Sequence, residues 1–297
     1  MFGGLLGGCL WALDTVILSI AMRPFALEWS APLVATGLHD LFSALWMSGF
    51  VSLRKKWKSI RQAYQTHSGR MVILAALLGG PVGMSGYVFS VQYLGAGLSA
   101  AISSFYPALA ALIGALVFKE KLSRSQIAGM ALSLACIVLM SWPNDSGGSN
   151  FILGLVMALC CMSGWALEGV IVQHSMKEDL DNEICLFLRQ TTSAAIFVFL
   201  IIPLLSSWRF ALQAAHACGL LIAAAAFCGT ASYLLYYGAI GRLGASRAMP
   251  LNSTYCAWAV FFSFVLEGIV PSLWQIILCF GIIGGAVLCA RQPEGGH

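Results

Sequence analysis

Two acids stand in apolar surroundings, each three residues after a tryptophan: Asp14 after Trp11, and Glu168 after Trp165. That spacing sets carboxylate and indole on one face of a helix. A carboxylate at the centre of a membrane helix costs roughly 2.5–3.5 kcal/mol on insertion scales, so two such acids need a purpose. One purpose is attraction of a cation, a proton or both. The other is structural pairing with Arg189, the basic residue that falls inside an apolar run. Arg189 could equally reach the membrane surface with its head. Tyr87, Tyr106, Tyr233, Tyr236, Tyr237, Tyr255 and Trp258 add rings well inside apolar segments. An aromatic face attracts a cation by roughly 0.5–2 kcal/mol. Rings suit a quaternary ammonium group in particular, because it has no N–H to donate, and a single nearby carboxylate balances its charge.

His39 and Asp40 are adjacent. Helix neighbours lie about 100° apart, so the two are expected not to face one another, with one of them turned inward. Histidine titrates near neutrality, which suits a step that moves a proton. Asn252 and Ser253 follow Pro250, while Pro81 and Pro107 interrupt two other apolar runs. Broken helices can open backbone carbonyls to a cavity. The candidate cation-holding set is therefore Trp11, Tyr87, Tyr106, Trp165, Glu168, Tyr236, Asn252, Tyr255 and Trp258. The candidate proton-handling set is Asp14, His39, Asp40 and Glu168.

The elements that carry these residues are membrane helices. The chain has 297 residues, 59% of them hydrophobic, with 16 Lys+Arg and 12 Asp+Glu. A soluble domain carries roughly 25% charged residues, against 9% here. Too little polar surface is left to cover a water-soluble body, which excludes a cytosolic enzyme, a secreted disulfide scaffold, a disordered chain and a nucleic-acid binder. Segments of about 20 apolar residues, enough to cross a bilayer, run near 3–22, 31–53, 71–92, 97–118, 124–142, 151–175, 183–206, 214–238, 247–268 and 271–291. The reading is an all-α integral membrane protein of ten helices, with 54–70 and 177–182 as its main loops. The first segment lacks a basic flank and a cleavage site, so it reads as a span rather than a leader. Thirteen basic residues fall on the side of the N-terminus, against Arg23 and Arg209 opposite. The positive-inside rule then puts both termini in the cytoplasm.

The chain also repeats itself. Trp-Ala-Leu-Asp at 11–14 matches Trp-Ala-Leu-Glu at 165–168, and Leu94-Gly95-Ala96 matches Leu243-Gly244-Ala245. Tyr87 and Tyr236, Tyr106 and Tyr255, and His39-Asp40 and Arg189-Gln190 keep similar offsets. Two halves are expected, 1–145 and 146–297, each of five spans. Five is odd, so the second half enters the membrane in the opposite sense, an inverted repeat typical of secondary transporters. The ten cysteines show no C-x-x-C spacing and read as small apolar fillers. No metal and no cofactor is expected. A Ser-His-Asp set, metal-ligand spacing and a nucleotide loop are all missing, which argues against an intramembrane enzyme.

Ten spans, the duplication and Phe-Lys-Glu-Lys-Leu-Ser at 118–123 resemble the drug/metabolite transporter superfamily, EamA type. Further segments resemble the LicB-type bacterial choline permeases: Gly80-Pro81-Val82-Gly83-Met84, Tyr93-Leu94-Gly95, Ser103-Ser104-Phe105-Tyr106-Pro107, His39-Asp40, Trp165 with Glu168, Arg189-Gln190, Ser232-Tyr233-Leu234 with Tyr236-Tyr237, and Leu251-Asn252-Ser253-Thr254-Tyr255 with Trp258. The resemblance implies proton-coupled import of choline or related quaternary amines across the bacterial inner membrane, through an aromatic pocket with an acid. Choline, protons and the lipid bilayer are the expected partners, nucleic acid is not, and a monomer is expected. Asp14 departs from that pattern, where the matching residue need not be acidic. The alternative is an exporter of amino acids or drug-like cations.

Overall fold

The computed structural model describes residues 1–142 and 150–291. The first helices are α1 (Phe2–Met22), α2 (Ala31–Leu53), α3 (Trp57–Ala63), α4 (His67–Leu77), α5 (Gly83–Leu94), α6 (Ala96–Ser103), α7 (Tyr106–Val117) and α8 (Arg124–Met140). After them come α9 (Phe151–Glu178), α10 (Asn182–Ile196), α11 (Ile202–Leu204), α12 (Trp208–Leu243), α13 (Ala245–Ser253), α14 (Tyr255–Glu267) and α15 (Leu273–Ala290). No strand occurs among the described residues. A chain in lipid must satisfy its backbone internally, and helices do this segment by segment. Large apolar side chains such as Leu220, Phe199 and Phe280 point outward, as lipid-facing residues do. The boundary expected at 145/146 lies outside the described residues.

Among the described residues, eight helical stretches are long and apolar enough to cross a membrane. The sequence predicts ten. The two that fall short are informative. Helix α2 has 23 residues, but His39 and Asp40 lower its apolar character. Helix α8 has 17 residues, under the roughly 20 that a straight crossing needs. A second difference concerns 54–70, expected as a loop, which contains the short helix α3. Beside it, Lys56 meets Asp181 at 2.5 Å and Glu183 at 2.8 Å, tying this turn to the start of α10. Partial burial works against the Lys56 ammonium, yet its hydrogen bonds to the two carboxylates raise its pKa.

Several helices are broken where the sequence has proline. At Leu78–Val82 the chain widens into a π-type turn around Pro81, linking α4 to α5. Proline has no N–H and clashes with the preceding turn, so regular helix cannot continue. Ser104 and Phe105 separate α6 from α7, which begins Tyr106-Pro107, and Thr254 separates α13 from α14.

The backbone carries the internal repetition. Among the described residues the positive-φ positions fall into pairs: Lys55 (φ 55°) with Ser206 (φ 53°), Gly95 (83°) with Gly244 (80°), and Lys119 (55°) with Gly268 (72°). Their spacings of 151, 149 and 149 residues follow the offsets of the matching motifs. The helix starts repeat too. Ser123 caps α8 in a reciprocal box with Gln126, and Ser272 caps α15 in the same box with Gln275. These two helices then pack closely. A side chain on Gly129 would strike the backbone of Gly285 and Cys289, and Ser133 Oγ donates to the Ile282 carbonyl at 2.8 Å.

Gly95 and Gly244 sit in a conformation, near φ +80° and ψ +160°, that is open essentially to glycine alone. Gly95→Ala and Gly244→Ala are each expected to destabilise the protein by about 1–3 kcal/mol. Thermal unfolding in detergent checks this. Gly219→Ala, on an open stretch of α12 with nothing within 4 Å of the added carbon, is the control and lowers nothing.

Candidate functional site

Five buried ionisable side chains meet at the centre of the bundle: Asp14 on α1, His39 and Asp40 on α2, Glu168 on α9 and Arg189 on α10. Each is at most 5% exposed, and they are the buried Asp, Glu, His, Lys and Arg side chains among the described residues. They form one chain of contacts. His39 Nε2 lies 3.2 Å from Asp14 Oδ1, and His39 Nδ1 lies 3.2 Å from Asp40 Oδ1. Arg189 Nη1 is 3.5 Å from Asp40 Oδ1, and Arg189 Nε donates to Glu168 Oε1 at 3.2 Å. Neutral groups finish the lattice. Ser193 Oγ donates to Asp40 Oδ2 at 2.5 Å, Tyr237 Oη to Glu168 Oε1 at 2.7 Å, and Arg189 to Gln190 Oε1 at 2.8 Å and to Tyr233 Oη at 3.1 Å.

Burial of a charge is costly unless it is paired and hydrogen-bonded; Asp40, Glu168 and Arg189 meet both conditions, whereas Asp14 Oδ1 and His39 Nε2 are paired with each other without a hydrogen bond. Three carboxylates face one guanidinium and one imidazole. With all three ionised, one negative charge is left over even when His39 carries a proton.

Beside Glu168 lies a hollow of about 50 Å³. Its wall takes Trp11 from α1, Met84 from α5, Tyr106 from α7, and Trp165, Glu168 and Gly169 from α9. Ser232, Tyr233, Tyr236 and Tyr237 from α12, Asn252 from α13 and Tyr255 from α14 complete it. The rings brace one another edge to face. Trp11 meets Tyr233 at 5.2 Å between centroids, and Tyr106 meets Trp165 at 5.7 Å. Such pairs prefer this geometry because a ring's positive edge meets a negative face. Ser253 Oγ donates to Tyr106 Oη at 3.0 Å, which fixes that ring from α13.

The helix breaks serve the site directly. The π-type turn around Pro81 leaves the Gly79 carbonyl free to accept from Trp165 Nε1 at 3.2 Å. A side chain on Gly79 would fall on the Glu168 carboxylate. Gly229 does the same service for the other acid, since a Cβ there would lie 2.7 Å from Asp14 Oδ2 and 2.8 Å from His39 Nε2. These acids fit because glycine faces them.

The EamA-like transporter family matches this chain over residues 1–142 and 152–291. The chain belongs to that family. A relative, protein LicB of Haemophilus influenzae (strain ATCC 51907 / DSM 11121 / KW20 / Rd), is 33% identical over 214 residues, covering 71% of this chain and 73% of LicB. A crystal structure of another protein matches with a TM-score of 0.76 over 98% of both chains. At 18% identity that is a likeness of fold alone. An EamA-like chain is a transporter of small molecules, not an enzyme.

Of the residues singled out in the sequence, Trp11, Tyr106, Trp165, Glu168, Tyr236, Asn252 and Tyr255 line the hollow of this EamA-like transporter. Tyr87 stands one layer back, its ring 5.8 Å from that of Trp165 and tilted by 32°. Trp258 is turned elsewhere, to a separate apolar groove with Phe261 and Phe264. Asp14, His39 and Asp40 lie behind the hollow rather than in its wall. The expectation that His39 and Asp40 do not face one another is corrected: both are buried and their side chains touch. A step of 100° between neighbours is small enough for two short side chains to bend together when both are drawn to partners on α1 and α10. Arg189 does not reach for the membrane surface; it pairs with two acids. Tyr233, Tyr237, Ser193 and Met84 were outside the candidate set. Tyr233 and Tyr237 could have been found, since they share a face with each other at i, i+4.

Trp165→Phe keeps the ring but removes the indole N–H, leaving the Gly79 carbonyl unsatisfied. The expected cost is about 1–3 kcal/mol, read as a lowered unfolding temperature.

Proposed function

We propose that this protein imports choline or a related quaternary ammonium compound into the cell across the bacterial cytoplasmic membrane, coupled to protons. One observation carries the reading: an aromatic hollow with one carboxyl group, Glu168, in its wall. A quaternary ammonium offers no N–H, so acceptors cannot hold it by hydrogen bonds, whereas ring faces and a nearby carboxylate can attract it. The segments that resemble choline permeases point the same way.

In this reading Trp11, Tyr106, Trp165, Tyr236 and Tyr255 hold the cation, with Tyr233 and Asn252 beside them, and Glu168 supplies charge balance. Asp14, His39 and Asp40 handle the proton away from the wall. Ten spans make two inverted five-helix halves, near 1–145 and 146–297, with both termini in the cytoplasm. The paired positive-φ residues and paired capping boxes support that duplication. The halves rock about the hollow to expose it to each side in turn.

Radiolabelled choline uptake into proteoliposomes tests the proposal. Acid outside and neutral inside should accelerate uptake. Absence of uptake, with no competition by betaine-type amines, overturns the choline assignment. Glu168→Gln is expected to abolish uptake. Trp11→Leu removes one cation–π contact worth about 0.5–2 kcal/mol, so apparent affinity should fall ~2- to 30-fold. Asp14→Asn and His39→Gln should keep choline binding but lose acceleration by the proton gradient. Retained acceleration in both would remove these residues from the coupling step.

A further inference from the structure

Glu168 is an encumbered counter-ion. Its Oε1 already accepts from Arg189 Nε at 3.2 Å and from Tyr237 Oη at 2.7 Å. A carboxylate so occupied offers a guest cation little net attraction, because a like charge sits against it. Arg189 also lies over the Tyr233 ring, 4.6 Å from its centroid. It therefore occupies, from behind, the two features that the guest would use: the acid and an aromatic face.

The guanidinium is not committed to Glu168. Its Nη1 lies 3.5 Å from Asp40 Oδ1, almost as near as Nε lies to Glu168. Two carboxylates on two helices, α2 and α9, thus stand within reach of one side chain on α10. Different nitrogens of the one guanidinium already reach both acids, at 3.5 and 3.2 Å, so its weight can pass from one to the other within the reach of the side chain. Gln190 and Ser193, on the same helix, hold the guanidinium and the Asp40 carboxylate in register for it. Asp40 is meanwhile served by His39, so any charge that Arg189 delivers to Asp40 is felt one residue further on, at the His39–Asp14 pair.

We infer that Arg189 is a two-seat switch, bridging Glu168 and Asp40 when the hollow is empty and giving up Glu168 for Asp40 alone when a cation takes its place. Arg189 is then a positioning residue. It sets the affinity threshold, since a guest must be better held by the rings and Glu168 than the guanidinium is. It also links the hollow to the buried imidazole that does not touch the guest. The inference deepens the functional reading above and rests on it.

The test is choline binding to the purified full-length protein by titration calorimetry, with Asp40→Asn, Arg189→Gln and the double variant. Without the second seat, Arg189 stays on Glu168, and Asp40→Asn alone should weaken choline binding about ten-fold, a usual size for coupling between sites. With Arg189 gone there is nothing to reseat, and adding Asp40→Asn should change affinity by less than about two-fold, the ordinary tolerance of additive sites. An equal loss in both backgrounds means that Asp40 acts through its charge alone and overturns the switch, as does an unchanged affinity in Asp40→Asn. Arg189→Gln strips two buried carboxylates of their partner and endangers folding, so a second measurement uses the wild-type protein. In a choline-bound structure Arg189 should stand nearer Asp40 than Glu168; a guanidinium still on Glu168 overturns the inference. Wild-type protein that binds neither choline nor tetramethylammonium sinks the functional reading, and the switch with it. Binding without the coupling sinks the switch alone.

Discussion

The structure turns on holding three carboxyl groups in a place shut off from solvent. An isolated charge there is prohibitive, so Asp14, Asp40 and Glu168 must share Arg189 and His39. Sharing forces the helices that carry them into one cluster: α1 and α2 on one side, α9 and α10 on the other, and α12 between, supplying tyrosine hydroxyls. Removal of one partner from such a lattice leaves an uncompensated charge, at a typical cost of about 3–5 kcal/mol. The lattice is therefore a fastening as well as a site.

Space for these groups comes from what the helices leave out. Gly79 and Gly229 face the Glu168 and Asp14 carboxylates, and neither has room for a methyl group. The interruption around Pro81 gives up regular helical bonding and returns a carbonyl that Trp165 takes. The chain makes these adjustments on a scaffold whose turns are paired along its length, with the same left-handed residues and the same serine–glutamine caps about 150 positions apart.

Much of this was legible in the sequence, and the limits are physical. Length and apolar runs give the helices because lipid allows little else. Buried acids and rings announce themselves by type, since each is expensive or unusual in an apolar run. Trp165 does share the wall with Glu168, as their spacing suggests, whereas Trp11 lines the hollow and Asp14 lies behind it, turned to His39. Connectivity is another matter. That Arg189 straddles Glu168 and Asp40 depends on how α2, α9 and α10 cross, and no local pattern encodes a crossing. For the same reason Trp258, four residues from Thr254 and close to the wall in sequence, faces a different groove, while Tyr233 and Tyr237 do more than rings in a list of tyrosines suggested. The π-type turn could be placed by Pro81, but not the indole that uses it.

The hydrogen bond from Trp165 to the Gly79 carbonyl joins a wall ring to the weakest point of a neighbouring rod. The indole cannot turn away without unbinding the kink, and the kink cannot straighten without pulling on the indole. Local bending and the shape of the chamber are thus geared together through a single indole.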